Sequence, residues 1–201
     1  MFQLDKNYGN KKLQQILETS LELFWKFGYN RVTIEEICQK APASKNTFYK
    51  HFENKFALIK FIMREAFRKG LEDYEAIMAE EICFEEKIKK IIDLKLKNTG
   101  DMSADFFRDL YLSGDEEIIR LIREMTEESM GFIHNSLKEF QRRGEIRIDI
   151  NLNFILYYLN NMQNMIKDQN LVNLYESPSQ MIQELTSFFF YGILPRERER
   201  K

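Results

Sequence analysis

Residues 33–55 read TIEEICQKAPASKNTFYKHFENK, and this one stretch contains three helix starts. Thr33 and Glu36 stand in capping-box relation: the threonine oxygen can accept from the amide of Glu36 while the glutamate reaches back. The helix they open is expected to begin at Thr33 or Ile34. It should end at about Lys40 or Ala41, because the residue before a proline is pushed out of the α region. Ser44 is placed to cap a short third helix over 45–52, and Asn54 a long fourth one through Phe56, Ile59, Met63, Phe67, Leu71 and Tyr74. Two short helices joined by a tight turn and flanked by longer ones make a helix-turn-helix.

Working outward, residues 13–27 place Leu13, Ile16, Leu17, Leu21 and Phe24 at helical spacing, with Gly28 as a C-terminal cap. Beyond residue 80 the helical period persists over 85–98, 103–112, 116–143, 152–169 and 178–191, punctuated by Gly100, Gly114, Gly144 and Ser177-Pro178. The segment GEIRIDIN, 144–151, alternates at period two, but with no second strand to pair it reads as an extended connector. The closing RERERK reads as a solvated, frayed end. The expectation is an all-α protein of about nine helices, with an N-terminal helix-turn-helix domain over 1–53 and a larger helical domain over 54–201.

Composition agrees: 44% hydrophobic and 31% charged residues with three prolines and eight glycines in 201 residues suit a helix-rich globular chain. The net charge of −2 conceals an asymmetry. Residues 1–60 carry ten Lys/Arg against six Asp/Glu, whereas residues 61–201 carry twenty against twenty-six. A basic N-terminal portion facing a polyanion is one consequence. Cys38 and Cys83 form neither a CxxC nor a Cys/His cluster, so no disulfide framework, metal site or cofactor is expected. No apolar leader and no run of about 18 apolar residues is present, which points to a cytoplasmic protein with no membrane segment.

The ordered run Gly28-Tyr29, Val32-Thr33-Ile34, Ile37, Ala41, Ser44 through Phe52 and Asn54-Lys55 resembles the DNA-binding domain of the TetR family of bacterial transcriptional regulators. A recognition helix presents its N-terminal residues to base edges, so Lys45, Asn46 and Thr47 are the candidates for direct readout. Thr33, Ser44 and Lys55 suit phosphate oxygens, and Tyr49, Lys50 and His51 bracket the same backbone. One departure stands out: members of the family usually have glycine followed by a branched apolar residue in the turn, where this chain has Pro42-Ala43. Proline is held near −65°, so the turn is expected to take another backbone route, with consequences for the angle of the third helix.

The resemblance implies that the larger domain dimerises, binds a small apolar or aromatic effector and releases a palindromic operator in double-stranded DNA. Stripes on the last two helices supply the expected homodimer interface, Phe154, Tyr158 and Met162 on one, Ile182, Leu185, Phe188 and Phe189 on the other. The expected pocket residues are Phe106, Phe107, Tyr111, Met125, Phe132, Tyr157 and Met162, and no basic cluster points to a strongly anionic ligand. The alternative is an effector-independent DNA-binding protein with an architectural or division-control role, which needs no cavity. An enzyme is disfavoured: GxSxG, HExxH and phosphate-cradling glycine loops are absent, and His51 and His134 lie in different segments.

Overall fold

A computed structural model of the chain describes residues 4, 8, 10–100 and 102–195. Among them there are ten helices and no strand. They are α1 (Lys11–Phe27), α2 (Ile34–Lys40), α3 (Lys45–Tyr49), α4 (Lys55–Ala79), α5 (Phe84–Thr99), α6 (Ala104–Tyr111), α7 (Glu116–Arg142), α8 (Leu152–Met165), α9 (Gln169–Val172) and α10 (Pro178–Ile193). The expected all-α architecture is present, with one helix more than expected. Residues 152–169 do not form one helix but divide, and α9 is a single turn capped by Asp168. The RERERK tail lies outside the described residues.

Local chemistry sets the boundaries. Asn10 accepts from the amides of Lys12 and Leu13, so α1 opens two residues before its first apolar position. The Thr33–Glu36 box closes in both directions, at 3.1 Å into the threonine oxygen and 3.3 Å into the glutamate. Ser44 caps α3 through the amide of Thr47 and Asn54 caps α4 through that of Ala57. The 144–151 segment is a connector of turns and bends, pinned by Ile146, which is buried, and by the amide of Arg147 donating to the Ile193 carbonyl.

The turn between α2 and α3 corrects the expectation for Pro42. No alternative route is taken: Pro42 has φ of +22°, and the amide of Ala43 reaches back 3.0 Å to the Cys38 carbonyl. That bond is the outer one of a Schellman motif, whose left-handed position glycine normally fills. Proline occupies it about 90° from its preferred φ, and its missing N–H leaves the inner bond of the motif unmade.

One core joins α1–α3 to the first turns of α4 and to α6 and α7, with Phe24, Ile37, Phe48, Ile59 and Phe106 fully buried. Each such side chain contributes about 1.5–3 kcal/mol of burial, which holds the two short helices on their scaffold. Further along, α4 leaves this core and its Phe67, Leu71 and Tyr74 line an interior cavity. A second core, built around Phe84, Ile88, Phe140, Ile155 and Phe189, packs α5, α7, α8 and α10 together.

Candidate nucleic-acid interface and interior cavity

The three helix starts at Thr33, Ser44 and Asn54 leave Thr33, Ser44, Lys45, Asn46, Tyr49, Lys50 and His51 exposed around α3, with Thr47 half-buried. Phe48 anchors this surface from beneath, fully buried and edge-on to Tyr49, with ring centroids 5.4 Å apart. Tyr49 is itself 53% exposed, so α3 presents a phenol, an amide and two lysines outward from a rigid footing. His51 lies 3.5 Å from the Asn10 amide, and Lys12 donates to the Pro42 carbonyl, tying α1 to the turn.

Two of the expected contact lysines have partners on other elements of the chain. Lys45 pairs with Glu35 of α2, and the pairing raises the lysine pKa and lowers that of the glutamate. Both groups are exposed, so this ion pair exchanges with solvent or an incoming phosphate at little cost. Lys55 is different. Its ammonium donates to the carbonyls of Tyr29, Asn30 and Val32 at 2.7, 3.2 and 2.9 Å and sits 4.4 Å from the Tyr29 ring centroid. Burial pulls its pKa below the ordinary lysine value. All three of its donors are directed at the α1–α2 loop, so in this structure Lys55, expected at phosphate, shapes that loop.

The same loop is gripped from α6. Asp109 on α6 accepts from the Asn30 amide at 2.9 Å and from the Asn30 side chain at 2.7 Å. The amide of Ser103 at the start of α6 donates 3.0 Å to the Trp25 carbonyl. Gly28 is needed here twice over: its φ is +85°, and a Cβ would fall 2.6 Å from an Asp109 oxygen.

Two residues beyond Asp109, Tyr111 faces the other way, into a cavity of about 430 Å³ that α4, α5, α7, α8 and α10 also line. Met125, Phe132 and Met162 line it with Tyr111. Three other expected pocket residues do not. Phe106 is buried against Trp25, with ring centroids 4.7 Å apart, and Phe107 packs with Met181 and Leu185 in a small core of its own. Tyr157 is 68% exposed on the outer face of α8. The dimer stripes are corrected in the same way: Met162, Ile182, Leu185 and Phe189 point inward and line the cavity. Tyr158 stacks on Phe189 at 6.2 Å and is half-buried. Phe154 and Phe188 remain outside, joined there by Tyr157 and Tyr191.

The cavity also holds residues not anticipated from the sequence, Tyr74, Lys95, Asn98 and Thr99. Lys95 continues the 84, 88, 91 spacing of the buried side of α5, a lysine on an apolar stripe, and that was the available signal.

A helix-turn-helix on a helical scaffold with a largely apolar cavity is the arrangement of a DNA-binding transcriptional regulator, and comparison with known proteins supports that class. Residues 16–61 match the family described as bacterial regulatory proteins, tetR family. Over this domain the chain is similar to the TetR family. Similar proteins include the uncharacterized HTH-type transcriptional regulator YerO of Bacillus subtilis, 44% identical over 50 residues, which is 25% of this chain and 17% of that one. The HTH-type transcriptional regulator UidR of Escherichia coli is 24% identical over 147 residues, covering 68% of this chain and 70% of UidR. Among solved structures, the transcriptional regulator FadR of Bacillus subtilis in complex with stearoyl-CoA superposes with a TM-score of 0.66 at 18% identity, covering 90% of this chain and 99% of that one. Among the described residues no helix is long and apolar enough to cross a membrane, and no cluster of metal-ligating side chains occurs.

Proposed function

We propose that the protein is an effector-responsive repressor that binds a palindromic operator as a homodimer, with 1–53 as the reading domain and 54–201 as the sensing and pairing domain. The observation that carries this reading is α6: one short helix bears Tyr111 in the cavity and Asp109 on the loop that precedes α2. An effector that shifts Tyr111 moves Asp109 with it, and so the seat of α2 and α3. By linkage, effector and operator then weaken each other's binding by the same factor.

Lys45, Asn46 and Thr47 are assigned to base edges, and Thr33, Ser44, Tyr49, Lys50 and His51 to the backbone. The exposed aromatics Phe154, Tyr157, Phe188 and Tyr191 support pairing with a second copy through α8 and α10. Two copies would set their α3 helices about 34–36 Å apart, in successive major grooves. The cavity favours this reading over an architectural protein, which needs none. That FadR is seen with stearoyl-CoA supports a small-molecule effector here.

The test is selection of bound sequences from a random DNA pool at two salt concentrations, with wild type and Tyr49→Ala. A palindrome enriched by wild type, and weakened binding by a Tyr49→Ala protein of unchanged melting temperature, is the expected result. Salt-sensitive binding without any enriched sequence would overturn it.

A further inference from the structure

Two lysines of α5 stand on its apolar side, Lys87 buried and Lys95 exposed, and they differ in what they meet. Lys87 is buried but satisfied: its ammonium donates 2.7 Å to the Met78 carbonyl and lies 5.5 Å from the centroid of Phe140. Lys95, two turns on, opens into the cavity, and among the described residues no hydrogen-bond or ion-pair partner meets its ammonium. Its side chain is exposed, in contrast to that of Lys87, and the atoms crowded around it where it lines the cavity pull its pKa below the ordinary value. The other described lining residues include no Asp, Glu, Arg or His. Four lining hydroxyls, of Thr99, Thr126, Ser129 and Thr186, already donate to carbonyls of their own helices. Asn98 lies one turn beyond Lys95 on the same face of α5 and brings an amide to the cavity.

An ammonium without a counter-charge in apolar surroundings is costly, and a ligand that supplies the charge relieves that cost. One lysine balances one negative charge. A head group bearing several phosphates would leave excess charge in a low-dielectric space, and a quaternary ammonium would be repelled despite the aromatic lining. The remainder of the wall is largely Phe, Leu, Ile and Met, which asks for a hydrocarbon body. A cavity of about 430 Å³ corresponds to roughly fourteen water volumes at ~30 Å³ each, a chain of about that many non-hydrogen atoms.

We propose that the cavity binds a medium-chain monocarboxylate, with the Lys95 ammonium and the Asn98 amide donating to its carboxylate and the chain lying against the apolar wall. This rests on the reading of the cavity as the effector site, and the experiment keeps the two apart. Calorimetric titrations would use decanoate, decan-1-ol and decyltrimethylammonium as probes, with wild type, Lys95→Met and Lys95→Gln. Wild type is expected to bind decanoate about tenfold or more tighter than decanol, the worth of a charge-assisted hydrogen bond, and to bind the cation least. Both variants should lose the preference while still binding decanol, which also reports an intact cavity. Equal binding of decanoate and decanol by wild type, or a preference kept in both variants, would overturn the assignment of Lys95 and leave the cavity a binding site. No binding of any probe to any of the three proteins would overturn both readings.

Discussion

Asp109 holds Asn30 with both carboxylate oxygens, one on the backbone amide at 2.9 Å and one on the side-chain amide at 2.7 Å. The pair joins residues 79 positions apart and is the polar link between α6 and the loop leading into the helix-turn-helix. Asp109→Ala is expected to cost about 1–2 kcal/mol, discounted from the usual charged hydrogen bond for solvent access. More informatively, it should reduce the factor by which an effector weakens operator binding. A variant with lowered melting temperature but the wild-type coupling factor would remove Asp109 from the signalling route.

Pro42→Gly should stabilise the protein. Backbone strain of this kind costs about 1–3 kcal/mol, and glycine both accepts the left-handed position and restores an N–H for the Gln39 carbonyl. The greater freedom of glycine in the unfolded chain returns about 0.5–1 kcal/mol, so a net gain of about 1 kcal/mol is expected in urea denaturation. A destabilised variant would mean that the turn is content with proline.

Glu35→Gln releases Lys45 and removes a negative charge beside the recognition helix. The expected result is tighter binding to DNA of any sequence, most evident at low salt, since phosphate contacts carry the salt-dependent part of affinity. Unchanged affinity in a fluorescence titration at two salt concentrations would place Glu35 and Lys45 away from the duplex.

Alkaline stability should report two buried phenols. Burial raises the pKa of Tyr74 to about 12, and burial followed by Asp115, Glu117 and Asp109 does the same for Tyr29. Between the ordinary value of 10.0 and about 12, the unfolded chain gives up these protons and the folded one keeps them. Their stabilising contribution is therefore complete below pH 10 and is lost as pH rises toward 12. Tyr74→Phe should flatten that fall. Identical pH profiles for variant and wild type above about pH 10 would show Tyr74 to be as solvated as a free phenol.

The N-terminal elements were legible because each was announced by a side chain acting on its own neighbourhood: Thr33, Ser44 and Asn54 each bond an amide three residues along the chain. The division of the later helices' apolar residues between outer face and cavity was not. Phe154 and Phe188 face out while Met162, Ile182, Leu185 and Phe189 face in, and a stripe broad enough to serve both sides does not tell which of its edges is turned inward. Phe106 and Phe107 were misplaced for a related reason: adjacent aromatics on a short helix enter two different cores. Lys55 escaped because its partners are backbone carbonyls of another segment, which no side-chain pattern records.

The unbroken course of α4 gives the molecule a lever. Its first turns are set in the core beneath α3, and Tyr74 stands at the cavity. At 1.5 Å per residue the arm from Lys55 to Tyr74 is about 28 Å long. A tilt of about 5° imposed at the ligand end therefore carries the other end through roughly 2.5 Å, approaching the ~3.4 Å step from one base pair to the next. If the cavity is the effector site, a small tilt of α4 imposed there would displace the helix-turn-helix by a large part of one base-pair step.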